Sequence, residues 1–209
     1  MHKSIHSAAF MALLGITSIA PAADAGFYLG AGIGQTNSNL TGDINRVLVD
    51  EGFVVDGISL SKNDTGWKLF AGYAVNPYLA AELSYIDLGK TDADIAIGGR
   101  IPGRINTSME MDGVNLGLKV SYPFDDQFSA FAKLGGFFWN AKATANANLS
   151  VGSGTSSQKD DGTDFSYGLG LSYAFTDHVS LRGDWDHYRL GSDADADVDL
   201  WSVSAQYQF

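Results

Sequence analysis

The sequence predicts an all-β protein, an eight-stranded antiparallel up-and-down barrel that crosses a membrane, and three observations carry that expectation. Apolar and polar residues alternate with period two in eight separate segments. The polar partners in those segments are glycine, serine, lysine or carboxylate residues, so the apolar faces must look outward onto lipid around a wet interior. Short and long connections alternate along the chain, as they do where strands cross a bilayer as successive hairpins.

The chain begins with a targeting pattern. Lys3 supplies a positive start, and Ala8 to Ala20 is an apolar run containing Phe10, Met11, Leu13 and Leu14. Ala23 and Ala25 flank Asp24 as small residues flank a signal-peptidase cut, and Ala20-Pro21-Ala22 offers an adjacent one. Residues 1–25 are therefore expected to be a cleaved leader, leaving 26–209 as one domain.

The first strand starts at Phe27, with Leu29, Ala31 and Ile33 on its outer face and Gly30, Gly32 and Gly34 inside. The second turns Trp67, Leu69, Ala71, Tyr73 and Val75 outward, and Lys68, Phe70 and Gly72 inward. Asn76-Pro77-Tyr78 makes a tight turn, where proline needs no ladder partner. The third strand shows Leu79, Ala81, Leu83 and Tyr85 outward against Glu82 and Ser84. The fourth alternates Val114 to Tyr122 outward with Asn115, Gly117, Lys119 and Ser121 inward, and a second short turn spans 123–127. The fifth has Phe128, Ala130, Ala132, Leu134 and Phe138 outward, with Lys133 and Gly135 inward.

The sixth runs outward through Phe165, Tyr167, Leu169, Leu171, Tyr173 and Phe175, followed by the turn Thr176-Asp177-His178. The seventh turns Val179, Leu181 and Trp185 outward and Arg182, Asp184 and Asp186 inward. The eighth, Trp201 to Phe209, alternates without a fault. Most of these segments are about nine to eleven residues long, as a tilted strand needs to cross hydrocarbon. Long connections are expected at 36–65, 89–112, 140–163 and 189–199.

Outward aromatics gather at two levels. Tyr122, Phe128, Phe175, Tyr207 and Phe209 mark one interface, and Trp67, Tyr85, Phe138, Trp185 and Trp201 the other. Past Phe138 the faces exchange character: Lys142, Thr144, Asn146 and Asn148 continue the outward face while Ala141, Ala143, Ala145 and Ala147 continue inward. Asp193, Asp195, Asp197 and Asp199 do the same before the eighth strand. A strand leaving lipid for water requires this exchange, which predicts a short β-sleeve beyond the membrane.

Inward charges at similar height above the short turns are Glu82, Lys119, Lys133, Arg182 and Asp184, a set expected to pair as a charge network across a narrow lumen. The net charge of −11 argues against a nucleic-acid surface. The chain has no cysteine, and its aspartates sit in alternation on a strand and not in an ion-binding loop, so neither a metal nor a cofactor is implied. His187 is expected to face outward near the interface, with no serine arranged beside it for nucleophilic catalysis. The acids before the eighth strand are candidates to meet lipopolysaccharide phosphates through bridging divalent cations.

Several segments resemble a known family. Asn76-Pro77-Tyr78 followed by Glu82, Tyr85 and Leu88-Gly89 is similar to the third-strand region of the outer membrane protein A transmembrane-domain family. Gly113 to Phe124, with Lys119 and Tyr122-Pro123, is similar to its fourth strand, and Lys133 to Gly136 with Trp139 and Ala141 to its fifth. With Arg182 in the seventh, the likeness covers nearly all of residues 26–209.

The resemblance implies a barrel in the outer membrane of a Gram-negative bacterium, with both termini periplasmic and Glu82, Lys119 and Arg182 in a lumenal charge network. It also implies that Tyr207 and Phe209 serve as a C-terminal signal read by the barrel assembly machinery. Ser172 stands where the family carries a second glutamate, and no peptidoglycan-binding domain is expected after Phe209. The function implied is non-enzymatic: envelope integrity and surface interaction, with external segments meeting a host or surface ligand. A narrow ion or small-solute channel is the alternative, and a lipid-active enzyme comes third.

Overall fold

The structure is a computed structural model, and it describes residues 25–38, 55–60, 63–97, 103–150, 152–190 and 196–209. Nearly all of the expected leader, residues 1–24, and Asp193 and Asp195 lie outside the described residues. Among the described residues nine strands are present: β1 (Gly26–Ser38), β2 (Val55–Leu60), β3 (Asn63–Asn76), β4 (Leu79–Ile97), β5 (Gly103–Pro123), β6 (Phe128–Leu149), β7 (Gly152–Ala174), β8 (Val179–Leu190) and β9 (Ala196–Gln208).

Eight of them form a ring of antiparallel neighbours, each paired with the next in sequence, closed where β1 pairs with β9 from Tyr28↔Gln208 to Ser38↔Val198. β2 pairs with Ala93–Ile97 at the far end of β4, along the same edge on which β3 pairs with the near half. It thus extends β3's place in the ring.

Three short turns are built by one device. Asn76 Oδ1 accepts the amides of Tyr78 and Leu79 at 2.8 and 2.9 Å. Asp125 Oδ1 accepts those of Gln127 and Phe128 at 2.8 and 2.7 Å, and Thr176 Oγ1 those of His178 and Val179. A side-chain oxygen that captures the amides two and three residues on mimics a backbone turn. The amides of Phe128 and Gln127 hold the Asp125 carboxyl below the usual carboxylate range.

The other ends differ from the expected loops. Segments 89–112 and 140–163 are mostly strand, and 55–60 is strand within a third expected connection. β5, β6 and β7 run for 21, 22 and 23 residues, against 12 for β8 and 13 for β9. One side of the barrel therefore rises as a tall wall. Period-two burial fades in that wall, and Ser153 to Asp161 of β7 are exposed throughout. With both faces in water, apolar alternation has no cause, so the sequence offers no period to read.

β4 bends where it enters the wall. Its register with β5 shifts between Asp87 and Lys90, and Gly89 sits there at φ 80°. A side chain is strained in that conformation, and a Cβ would lie 2.8 Å from Asp64 Oδ2.

Outward residues of the spanning stretch are exposed and apolar, among them Leu29, Leu69, Leu83, Leu118, Leu134, Leu169 and Val203. Aromatic pairs flank them at both ends. Phe128–Tyr173 and Tyr207–Phe209 lie 4.7 and 5.2 Å apart near the short turns, and Trp67–Tyr85 and Trp185–Trp201 lie 5.4 and 6.2 Å apart at the opposite end. Inside the wall's base the inward faces of β4, β5, β6, β8 and β9 meet in an apolar core that includes Ile86, Leu88, Phe137, Trp139, Tyr188 and Leu200. The Phe137 and Tyr188 rings pack at 4.6 Å, tilted by 44°.

The lipid boundary generates a test on two outward positions. Leu118→Arg is expected to cost about 2–4 kcal/mol in reversible unfolding from bilayers, as for a charge near the midplane. Thr144→Arg, on the outward face of the wall, is expected to cost less than about 1 kcal/mol.

Candidate functional site in the barrel lumen

Below the apolar core the inward residues become charged. Arg182 on β8 is 1% exposed, and its Nη1 donates to Glu82 Oε2 at 2.9 Å. β8 and β4 are four places apart in either direction round the ring of eight, so this pair spans the lumen's full width. The guanidinium is sandwiched, its Cζ 4.4 Å from the Phe70 ring centre and 4.6 Å from that of Phe131. Its Nη1 also donates to Gln206 Oε1, and Nη2 to Asp184 Oδ1, both at 3.2 Å. A rigid planar fork that stacks on both faces and reaches two carboxylates is a task for arginine and not lysine.

Asp184 and Asp186 anchor the rest. Lys68 Nζ lies 2.7 Å from Asp184 Oδ2 and 2.9 Å from Asp186 Oδ2. Lys133 Nζ lies 2.6 Å from Asp186 Oδ1 and 3.4 Å from Asp184 Oδ1. Tyr28 donates its hydroxyl to Glu82 Oε2 at 3.0 Å, and Ser204 donates to Asp184 Oδ2 at 3.3 Å.

Room for these groups comes from glycine on neighbouring strands. A Cβ on Gly72 would sit 2.1 Å from Tyr28 Cζ, and one on Gly30 would sit 2.1 Å from Phe70 Cζ. Small and large inward residues interlock across adjacent strands, as a narrow barrel requires.

Of the five charges singled out from the sequence, Glu82, Lys133, Arg182 and Asp184 come together, and Lys119 does not join them. Lys119 Nζ rests 4.4 Å over the Tyr28 ring. Three partners were missed: Lys68, Asp186 and Tyr28. The first two were visible as inward residues on their strands, but strand tilt hides which heights coincide. Tyr28 was visible only as the single inward aromatic at the start of β1.

His187 is not isolated at the interface. Its Nδ1 lies 2.8 Å from Asp199 Oδ1 and its ring 4.7 Å from that of Tyr167. Tyr207 and Phe209 are exposed on the outward face of the last strand, and the Phe209 amide bonds Phe27 O at 2.9 Å. At the short-turn end the lumen opens into a vestibule of about 260 Å³ whose wall includes Tyr28, Lys119, Phe131, Ser172 and Gln206.

Breaking the diametric pair is expected to be severe. Glu82→Ala leaves a buried guanidinium short of its main acceptor, at a cost of about 3–5 kcal/mol. Replacing both partners, Glu82→Leu with Arg182→Met, is expected to cost less than that single change, read from urea midpoints of the refolded barrels.

The family described as outer membrane protein beta-barrel domain matches residues 7–209. Outer membrane protein A of Shigella flexneri is 29% identical over 95% of this chain, and that of Yersinia pseudotuberculosis 30% identical over the same share. The chain spans about half the length of these curated relatives, 53% in both. Among solved structures, the attachment invasion locus protein Ail of Yersinia pestis, in complex with the heparin analogue sucrose octasulfate, is similar in fold. It superposes with a TM-score of 0.53 at 18% identity, over 89% of this chain and 99% of that one. The closed antiparallel ring, its lipid-facing apolar belt and the match over residues 7–209 place this chain in the outer membrane protein beta-barrel domain family.

Proposed function

We propose that this outer-membrane barrel is non-enzymatic, does not conduct, and serves envelope integrity and surface interaction. The observation that carries the reading is the stacking of two layers within one bore. The Arg182–Glu82 pair crosses the lumen, and the Phe137–Tyr188 core lies above it. A solute entering the vestibule meets both, and moving either means separating buried ions or apolar packing.

The surface role is supported by the tall wall of β4 to β7, which stands outside the aromatic belt. Its exposed faces carry Lys90, Asp92, Asp94, Arg104, Asp160 and Asp161 among serine, threonine and asparagine. The wall is of mixed sign with acids in excess, a poor match to a polyanion such as the sucrose octasulfate bound by Ail. A polar or basic host or surface ligand fits it better. Against catalysis, His187 is engaged by Asp199 and packed on Tyr167, and no serine or threonine hydroxyl is hydrogen-bonded to it among the described residues.

In this reading the short turns and both ends of residues 26–209 lie on the periplasmic side, residues 1–25 are removed as a leader, and lipopolysaccharide surrounds the wall. Tyr207 and Phe209 form the signal read by the assembly machinery.

Two measurements follow. Liposomes holding the purified protein are expected to swell in small sugars no faster than protein-free liposomes; swelling that scales with protein content favours the channel. Deleting Phe209 is expected to lower the fraction of cellular protein that shows heat-modifiable gel migration, with the refolded purified variant still shifting.

A further inference from the structure

Lys119 is the one cation of the lumenal layer without a carboxylate among the described residues. Lys68 and Lys133 each contact Asp184 and Asp186, and Arg182 contacts Glu82 and Asp184. Among the described residues Lys119 Nζ makes no direct ion pair: it lies over the rings of Tyr28 at 4.4 Å and Phe131 at 5.6 Å, and Glu82 and Asp184 act on it only from beyond salt-bridge distance. The Tyr28 hydroxyl is already committed to Glu82. Four cations, Lys68, Lys119, Lys133 and Arg182, thus share three carboxylates, Glu82, Asp184 and Asp186, and one positive charge is unmatched. A half-buried ammonium resting on two aromatic rings lacks a direct anionic acceptor.

That unmatched charge faces a cavity. Lys119 is part of the wall of the 260 Å³ vestibule, together with Ser121, Ser129, Ser172, Ser180 and Gln206. Hydroxyls and the carboxamide can all donate hydrogen bonds, so the wall offers donors around one positive centre. A water takes about 30 Å³ of liquid volume, so the space admits a small polyatomic ion with part of its hydration. The mouth carries Asp125, Asp126 and Asp177. Asp125 is engaged by the turn amides of Gln127 and Phe128. This acidic rim disfavours large polyanions and leaves the inner site to an ion small enough to pass it.

We propose that Lys119 and the vestibule hydroxyls form a binding site for one small oxyanion of the phosphate, sulfate or carboxylate type at the short-turn end of the barrel. The ion supplies the missing negative charge of the layer. The site does not depend on whether the lumen conducts.

The test is equilibrium binding of inorganic phosphate to the refolded full chain in detergent, with sulfate, acetate and chloride as competitors. K119M removes the charge while keeping an unbranched apolar stem. S172E keeps Lys119 and tethers a carboxylate in the same vestibule. Folding of each is checked by heat-modifiable migration. Saturable binding of one phosphate per chain is expected, displaced by sulfate or acetate well before chloride. Loss of one charge-assisted contact is expected to weaken binding about tenfold or more in K119M and in S172E. Failure of the wild-type barrel to bind phosphate saturably overturns the proposal, as does wild-type affinity in either folded variant. Should K119M not fold, S172E decides alone. Chloride competing on equal terms with sulfate overturns the oxyanion assignment.

Discussion

In hydrocarbon an unpaired backbone amide has no water to turn to, so a sheet that enters a bilayer must close on itself. The β1–β9 ladder, from Tyr28↔Gln208 to Ser38↔Val198, is where this chain meets that requirement. Everything else in the spanning region follows from closure. Eight strands give a bore that side chains can reach across, each strand has one lipid face and one lumenal face, and a period of two is imposed on the sequence. Outside the bilayer the requirement lapses. There β8 and β9 end or begin early while β5, β6 and β7 continue, because a sheet in water can leave an edge open to solvent.

The lumenal ions set the register. Buried pairs add little net stability, since desolvation offsets much of their attraction. Their consequence lies in what misalignment does. Sliding β8 by one residue would turn Arg182, Asp184 and Asp186 toward lipid and bring Leu181 and Trp185 into the lumen. Three cations held to three acids, with Arg182 clamped between Phe70 and Phe131, make such a slip expensive. The apolar core above acts through packing: Phe137, Trp139 and Leu200 lie inside at the level of the outward belt residues Phe138 and Trp201, where the outer face begins to turn polar. The two layers therefore mark where the barrel stands in the membrane from the inside, as the aromatic belts do from the outside.

The spanning strands were legible in the sequence because lipid on one face and a wet lumen on the other write alternation directly into residue type. The tall wall was less so. The exchange of faces past Phe138 announced a sleeve, but the uniformly exposed stretch from Ser153 to Asp161 has no period, and polar residues there read as loop. In the lumen, alternation told which residues point inward but not which of them meet. Strands are tilted and staggered, so Lys68 and Asp186, on strands three places apart in the ring, come within 2.9 Å with nothing in their spacing to announce it. The isolation of Lys119 was hidden for the same reason. Its charge was plain from the sequence, whereas the lack of an acid within ion-pair distance, among the described residues, is a fact about neighbouring strands.

Within the belt the barrel has lipid outside and packed side chains inside, and above it water replaces the lipid. Spin labels placed singly along β6 test this most directly, by comparing collision with oxygen, which concentrates in lipid, and with a water-soluble nickel complex. Labels at 128, 130, 132, 134 and 138 are expected to favour oxygen, and those at 142, 144, 146 and 148 the nickel complex, with the crossover near Asn140. A single preference along the whole outward face would contradict it.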